Sequence, residues 1–132
     1  MIGIVVVAHS HRLAEGVKEL ADQMTQCRVC VAAAGGLDDN TPGTNAERIK
    51  RAIEEVYSPD GVLVLVDLGS AVMSADLAIS ALPAEQQHDI LLTDAPLVEG
   101  AIVAAVEASI GRSLAEVNAA ALAAREMQKI VR

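Results

Sequence analysis

The feature that most restricts this chain is an alternation. Short runs of β-branched and aliphatic residues recur along it, and a longer segment of helical periodicity follows each one. Ile2–Ala8 is apolar almost throughout, as suits a parallel strand buried on both faces. Val29–Ala34 forms a second such run and closes on Gly35 and Gly36, Val62–Val66 a third ending at Asp67, and Asp89–Thr93 a shorter fourth. Between them, His11–Met24 sets Leu13, Val17, Leu20, Ala21 and Met24 on one stripe, and a helix capped by Thr44 or Asn45 carries Ile49, Ala52, Ile53 and Val56. A third helix starts at Ser70, with Ala71, Ala75, Ala78 and Leu82, and stops at Pro83. A fourth runs from Pro96 to Ile110, and Ser113 caps a last, alanine-rich one over Leu114–Lys129.

This order predicts an α/β fold, a three-layer sandwich with right-handed crossovers and helices on both faces of a four-stranded parallel sheet. The expected strand order is 2-1-3-4, which places the topological switch between strands 1 and 3. The 132 residues suit one domain, 1–132, without linker or repeat. Function in such sheets gathers beyond the carboxyl ends of the strands at the switch. That rule selects two loops on topology alone: Ala8-His9-Ser10-His11 and Asp67-Leu68-Gly69-Ser70-Ala71.

Composition removes several classes of function. With one tyrosine, no Phe and no Trp, the chain has no aromatic platform for nucleobases, and a net charge of −8 argues against a nucleic-acid partner. No apolar run approaches the roughly 18 residues of a membrane span. Met1–Ala8 lacks the charged start of a signal peptide and reads as a strand. Cys27 and Cys30 have redox-pair spacing but border an apolar stretch, so the expectation is two buried thiols in a reducing, cytoplasmic compartment.

The two selected loops bring together a histidine and a carboxylate. Asp67 can accept a hydrogen bond from one nitrogen of His9, fixing the tautomer and leaving the other nitrogen as nucleophile. Gly69 and Ser70 open a helix whose amides and dipole favour an anion, and Ser10 or Ser70 can hold phosphoryl oxygens. An imidazole, an orienting carboxylate and amide donors together serve phosphoryl transfer through phosphohistidine. There is no GxxxxGK[ST] loop and no carboxylate cluster for magnesium, so the phosphoryl group must come from another protein.

These segments carry a resemblance. Ala8-His9-Ser10, the loop Gly35–Thr44 (GGLDDNTPGT), Val66–Ala71 (VDLGSA) and Thr93–Ala101 (TDAPLVEGA) resemble the mannose-type IIA domains of the phosphoenolpyruvate-dependent phosphotransferase system, in particular the dihydroxyacetone kinase phosphocarriers. The resemblance spans essentially the whole chain. It implies that His9 is phosphorylated, on Nε2, by the histidine-containing phosphocarrier protein. The group then passes to ADP held on the nucleotide-binding subunit of a dihydroxyacetone kinase. It also implies a homodimer; no cofactor is expected. The IIA domain of a mannose-type sugar transporter is the alternative within the same chemistry.

Other residues have plainer readings. His11 lies two positions from His9, but no third ligand is near and His88 sits in a polar loop, so no metal site is expected. Arg12 reads as a solvated arginine, Asp38 and Asp39 as turn residues. An aspartyl-phosphate signalling domain would need acidic residues after strand 1, where His9-Ser10-His11 stands. A nucleotide- or flavin-binding domain would need a glycine-rich loop there. The helices from Ser70 and Pro96 are apolar nearly all round, which predicts that part of their surface lies in a dimer interface.

Overall fold

The computed structural model describes residues 1–132. Four parallel strands, β1 (Gly3–Ala8), β2 (Val31–Gly35), β3 (Val62–Val66) and β4 (Ile90–Leu92), form one sheet in the order β2-β1-β3-β4. The helices are α1 (His11–Thr25), α2 (Ala46–Val56), α3 (Ala71–Ser80), α4 (Ala84–Gln87), α5 (Leu97–Ser109) and α6 (Leu114–Ala123), with a 3₁₀ turn at Ala124–Glu126. The expected fold class and strand order are both found.

The sequence pattern explains the layering. All six residues of β1 are buried, and their side chains alternate between two cores. Ile4, Val6 and Ala8 face α1, α5 and α6, whereas Val5 and Val7 face α2 and α3. Each buried Val or Ile contributes about 1.5–3 kcal/mol, so this strand anchors both cores. Register then carries the site: Val7 pairs with Ala34 on one side and Val66 on the other, so the loops after β1, β2 and β3 leave the sheet at one level.

Helix α5 lies between α1 and α6, which explains its small buried face of Gly100, Ala101, Ala104, Ala105 and Ala108. Most of the all-round apolarity of α5 is therefore answered within the chain. That of α3 is not: its buried face is Ala71, Ala75 and Ala78, while Met73 and Leu77 are 74% and 64% exposed.

Several boundaries differ from expectation for local reasons. Gln26 and Cys27 take left-handed conformations (φ 54° and 59°), so the chain needs extra residues to turn and β2 starts at Val31 rather than Val29. Cys27 and Cys30 are both exposed, contrary to the expected pair of buried thiols. Cys27 lies on the outer side of that turn, and Cys30 alternates with the buried Val29 and Val31. The inference of a reducing compartment from buried thiols therefore loses its basis. The last helix stops at Ala123, short of Lys129, and tightens into the 3₁₀ turn. Helix α4, a single turn after Pro83, is an element the sequence pattern does not signal. No helix is long and apolar enough to cross a membrane.

Candidate active site

Both selected loops meet at the carboxyl edge of β1 and β3. The Asp67 N–H donates to the Val7 carbonyl at 3.1 Å, continuing the ladder one residue beyond β3 and fixing the carboxylate beside β1. The His9 N–H donates to Asp67 Oδ2 at 2.9 Å, and His9 Nδ1 lies 2.9 Å from Asp67 Oδ1. Leu68 N–H also donates to Oδ1, at 2.8 Å. Burial opposes ionisation of Asp67, but these hydrogen bonds and the neighbouring imidazole outweigh it and hold the carboxyl below its usual range. An ionised carboxylate only accepts, so Nδ1 carries the proton and Nε2 keeps the lone pair.

On the opposite side of the ring, Ser70 Oγ is 2.8 Å from Nε2. With Nδ1 protonated, the Ser70 hydroxyl is the donor. The imidazole is thus held at both nitrogens, by a carboxylate behind it and a hydroxyl in front, and its side chain remains 29% exposed against 11% for Asp67. The ring is accessible, with a fixed tautomer and a charged partner, which is the arrangement a nucleophilic imidazole requires. The Gly69 and Ser70 N–H groups beside it donate to no backbone carbonyl and lie at the start of α3.

His9, Asp67, Gly69 and Ser70 are brought together as the sequence implied. Ser10 has a different occupation: its Oγ accepts the Leu13 N–H at 3.2 Å, capping α1. His11 turns away to a cluster of its own, 3.3 Å from Arg48 Nη2 and 3.5 Å from Asp39 Oδ1, with Arg48 to Asp39 at 3.0 Å. Asp38 accepts the Asn40 N–H, a turn role, and His88 lies 3.5 Å from Asp89 elsewhere. Arg12 is exposed. No cluster of three or more His, Cys, Asp or Glu side chains is arranged to hold a metal ion.

The family model of the PTS system fructose IIA component matches residues 3–118. The chain belongs to this family. It is 43% identical over 98% of its length to the phosphoryl donor subunit DhaM of the PEP-dependent dihydroxyacetone kinase of Escherichia coli, strain K12, but spans only 28% of that protein. The DhaM subunit of kinase 2 in Listeria innocua is 37% identical over 86% of the chain, which covers 90% of that shorter relative. A solved structure of a protein of unknown function superposes with a TM-score of 0.81 at 36% identity, covering 92% of each chain.

Three features of this IIA component were missed by the sequence reading. The Gly43 N–H donates to the His9 carbonyl at 2.8 Å, so the β2–α2 loop holds the backbone of the histidine. Gly35 is required for that closeness, since a Cβ there would sit 2.4 Å from the Ser10 carbonyl. Beside Asp67, a cavity of about 420 Å³ runs between the β3–α3 and β4–α5 loops, past Gly69, Val72, Asp94 and Pro96. Thr93–Leu97, the first half of the Thr93–Ala101 motif, forms its far wall. These contacts lie beyond what spacing shows, and the runs Gly35–Thr44 and Thr93–Ala101 are the sequence signals that point there.

Proposed function

We propose that this chain is a phosphohistidine carrier of the phosphotransferase system, with His9 as the nucleophile. The observation that carries the reading is the Asp67–His9–Ser70 line, in which a carboxylate fixes Nδ1–H and leaves Nε2 at the surface. Nε2 attacks the phosphorus of a phosphohistidine on the donor protein. The new N–P bond forms as the donor's N–P bond breaks, and the donor imidazole leaves with the electron pair. Positive charge develops on the His9 ring and Asp67 stabilises it. The Ser70 hydroxyl leaves the lone pair as the phosphoryl group arrives and, with the Gly69 and Ser70 amides, binds its oxygens. Ser10 contributes through its cap on α1, whose N-terminus borders His9.

The donor is the histidine-containing phosphocarrier protein, and the acceptor is ADP on the nucleotide-binding subunit of a dihydroxyacetone kinase. The names of the relatives favour this acceptor over a sugar transporter. Residues 1–132 act as one IIA domain, in the cytoplasm and as a homodimer, for which the exposed Met73 and Leu77 of α3 supply apolar surface.

The test is reconstitution. Phosphoenolpyruvate labelled in its phosphoryl group is incubated with the general phosphotransferase proteins, this chain, and the kinase subunits with ADP and dihydroxyacetone. Label moving through this chain into dihydroxyacetone phosphate is the expected result. Label that stops at the phosphocarrier, or bypasses this chain, contradicts the reading.

A further inference from the structure

The crevice around His9 has two walls from different parts of the chain, and a single side-chain bond joins them. One wall is the β2–α2 loop, whose Gly43 N–H holds the His9 carbonyl at 2.8 Å. The other is α3, whose leading Ser70 meets His9 Nε2 at 2.8 Å. Thr44, next to Gly43, places its Oγ1 2.7 Å from Oγ of Ser74. Ser74 is one helical turn beyond Ser70, so it shares that face of α3. Both hydroxyls are half-buried, and no other side-chain hydrogen bond joins the β2–α2 loop to α3.

Thr44 is not needed for helix initiation. The side chain of Asn45 accepts the N–H groups of Glu47 and Arg48 and caps α2 by itself. The loop before it is already closed by its own bonds, Leu37 N–H to Thr41 O and Asn40 N–H to Asp38 Oδ1, and its tip is tied to Arg48 through Asp39. The Thr44–Ser74 bond adds little to either element alone. It fixes the distance between the wall that holds the His9 backbone and the wall that holds its ring.

We propose that Thr44 and Ser74 are positioning residues for the phosphoryl transfer, acting as a strut that sets the gap between Gly43 and Ser70 and so the aim of His9 Nε2. The effect on rate rests on the phosphocarrier reading; the effect on the ring does not. In-line attack depends on sub-ångström placement of the nucleophile, and small displacements far from the reacting atoms are costly.

The experiment compares the wild type with Thr44→Val, Ser74→Ala, the double variant and Thr44→Ser. Single-turnover uptake of label from the phosphorylated phosphocarrier is followed by rapid quench, and the His9 ring nitrogens by ¹⁵N spectroscopy in mildly alkaline buffer. The expected result is a rate at saturating donor about three- to tenfold lower in each single variant, with an unchanged half-saturating donor concentration. The double variant should be no slower than either single one, because both remove the same bond. Thr44→Ser should restore the rate. The wild-type ring should show a hydrogen-bonded Nε2, and the valine and alanine variants a shifted or broadened Nε2 signal as the Ser70 contact loosens, while Asp67 keeps the proton on Nδ1. Unchanged rates, penalties that multiply in the double variant, failure of Thr44→Ser to rescue, or an unaltered ring overturn the proposal. If the wild type takes no label, the phosphocarrier reading fails on its own, and the ring spectra still decide the strut.

Discussion

Replacing Asp67 with asparagine probes the site at its most constrained point. The carboxylate accepts three bonds, from the His9 N–H at 2.9 Å, His9 Nδ1 at 2.9 Å and the Leu68 N–H at 2.8 Å. An amide has one oxygen and one NH₂ group. Oriented with its oxygen toward Nδ1, it sets NH₂ against the His9 N–H, two donors face to face. Flipped, it donates to Nδ1 and drives the ring proton onto Nε2, the atom that must attack. Either orientation loses a hydrogen bond and the negative charge that stabilises the developing imidazolium. A charge pair at about 4 Å is worth about 4 kcal/mol near a protein surface, and the partial exposure of His9 reduces that. The barrier should rise by about 2–4 kcal/mol, a fall in rate of about 30- to 1000-fold. Rapid-quench uptake of label at saturating donor measures it, with circular dichroism confirming the fold. An Asp67→Asn protein that transfers within about threefold of the wild-type rate would refute the assignment of Asp67 as the group that orients and charges the ring.

Four further outcomes follow from the same geometry. His9→Ala should take no label, and wild-type label should be lost in acid and survive base, as measured by filter retention after each treatment. Gly35→Ala should lower stability by about 1–3 kcal/mol in urea unfolding, because its Cβ has no room beside the Ser10 carbonyl, and should slow transfer by shifting the start of α1. Asp67, whose folded carboxyl titrates below its unfolded value, contributes stability that is fully present above the usual carboxylate range and is lost as the pH falls through its folded value. Asp67→Asn should therefore flatten that part of the acid limb when urea midpoints are compared across pH. Finally, Met73→Glu with Leu77→Glu on the exposed face of α3 should turn a dimer into a monomer by sedimentation equilibrium, while a wild type that is itself monomeric at micromolar concentration contradicts the dimer.

The sheet was legible because β1 has no polar residue to place: a strand apolar on both faces must be central and parallel, and the rest of the order followed from connection rules. The site was legible for the same reason, since topology puts His9 and Asp67 on neighbouring strand ends before any contact is known. Roles that depend on side-chain direction were not legible. The pattern points Ser10 at a phosphoryl oxygen and does not show that its Oγ also accepts the Leu13 N–H as the cap of α1. Cys27 and Cys30 were read as buried because the pattern of Arg28–Ala32 suggested a strand, and the left-handed turn at Gln26 and Cys27 overrides it. Thr44 and Asn45 could not be separated as caps by type alone; only the structure shows Asn45 at the helix and Thr44 free to reach Ser74, thirty positions along.

The most direct test is to label the histidine rings with ¹⁵N, phosphorylate the chain through the phosphocarrier, and locate the new bond by phosphorus–nitrogen coupling. A single phosphoryl group on Nε2 of residue 9, with Nδ1 still protonated, is the predicted spectrum. Phosphorus coupled to Nδ1, to another histidine, or to no nitrogen at all would contradict the account.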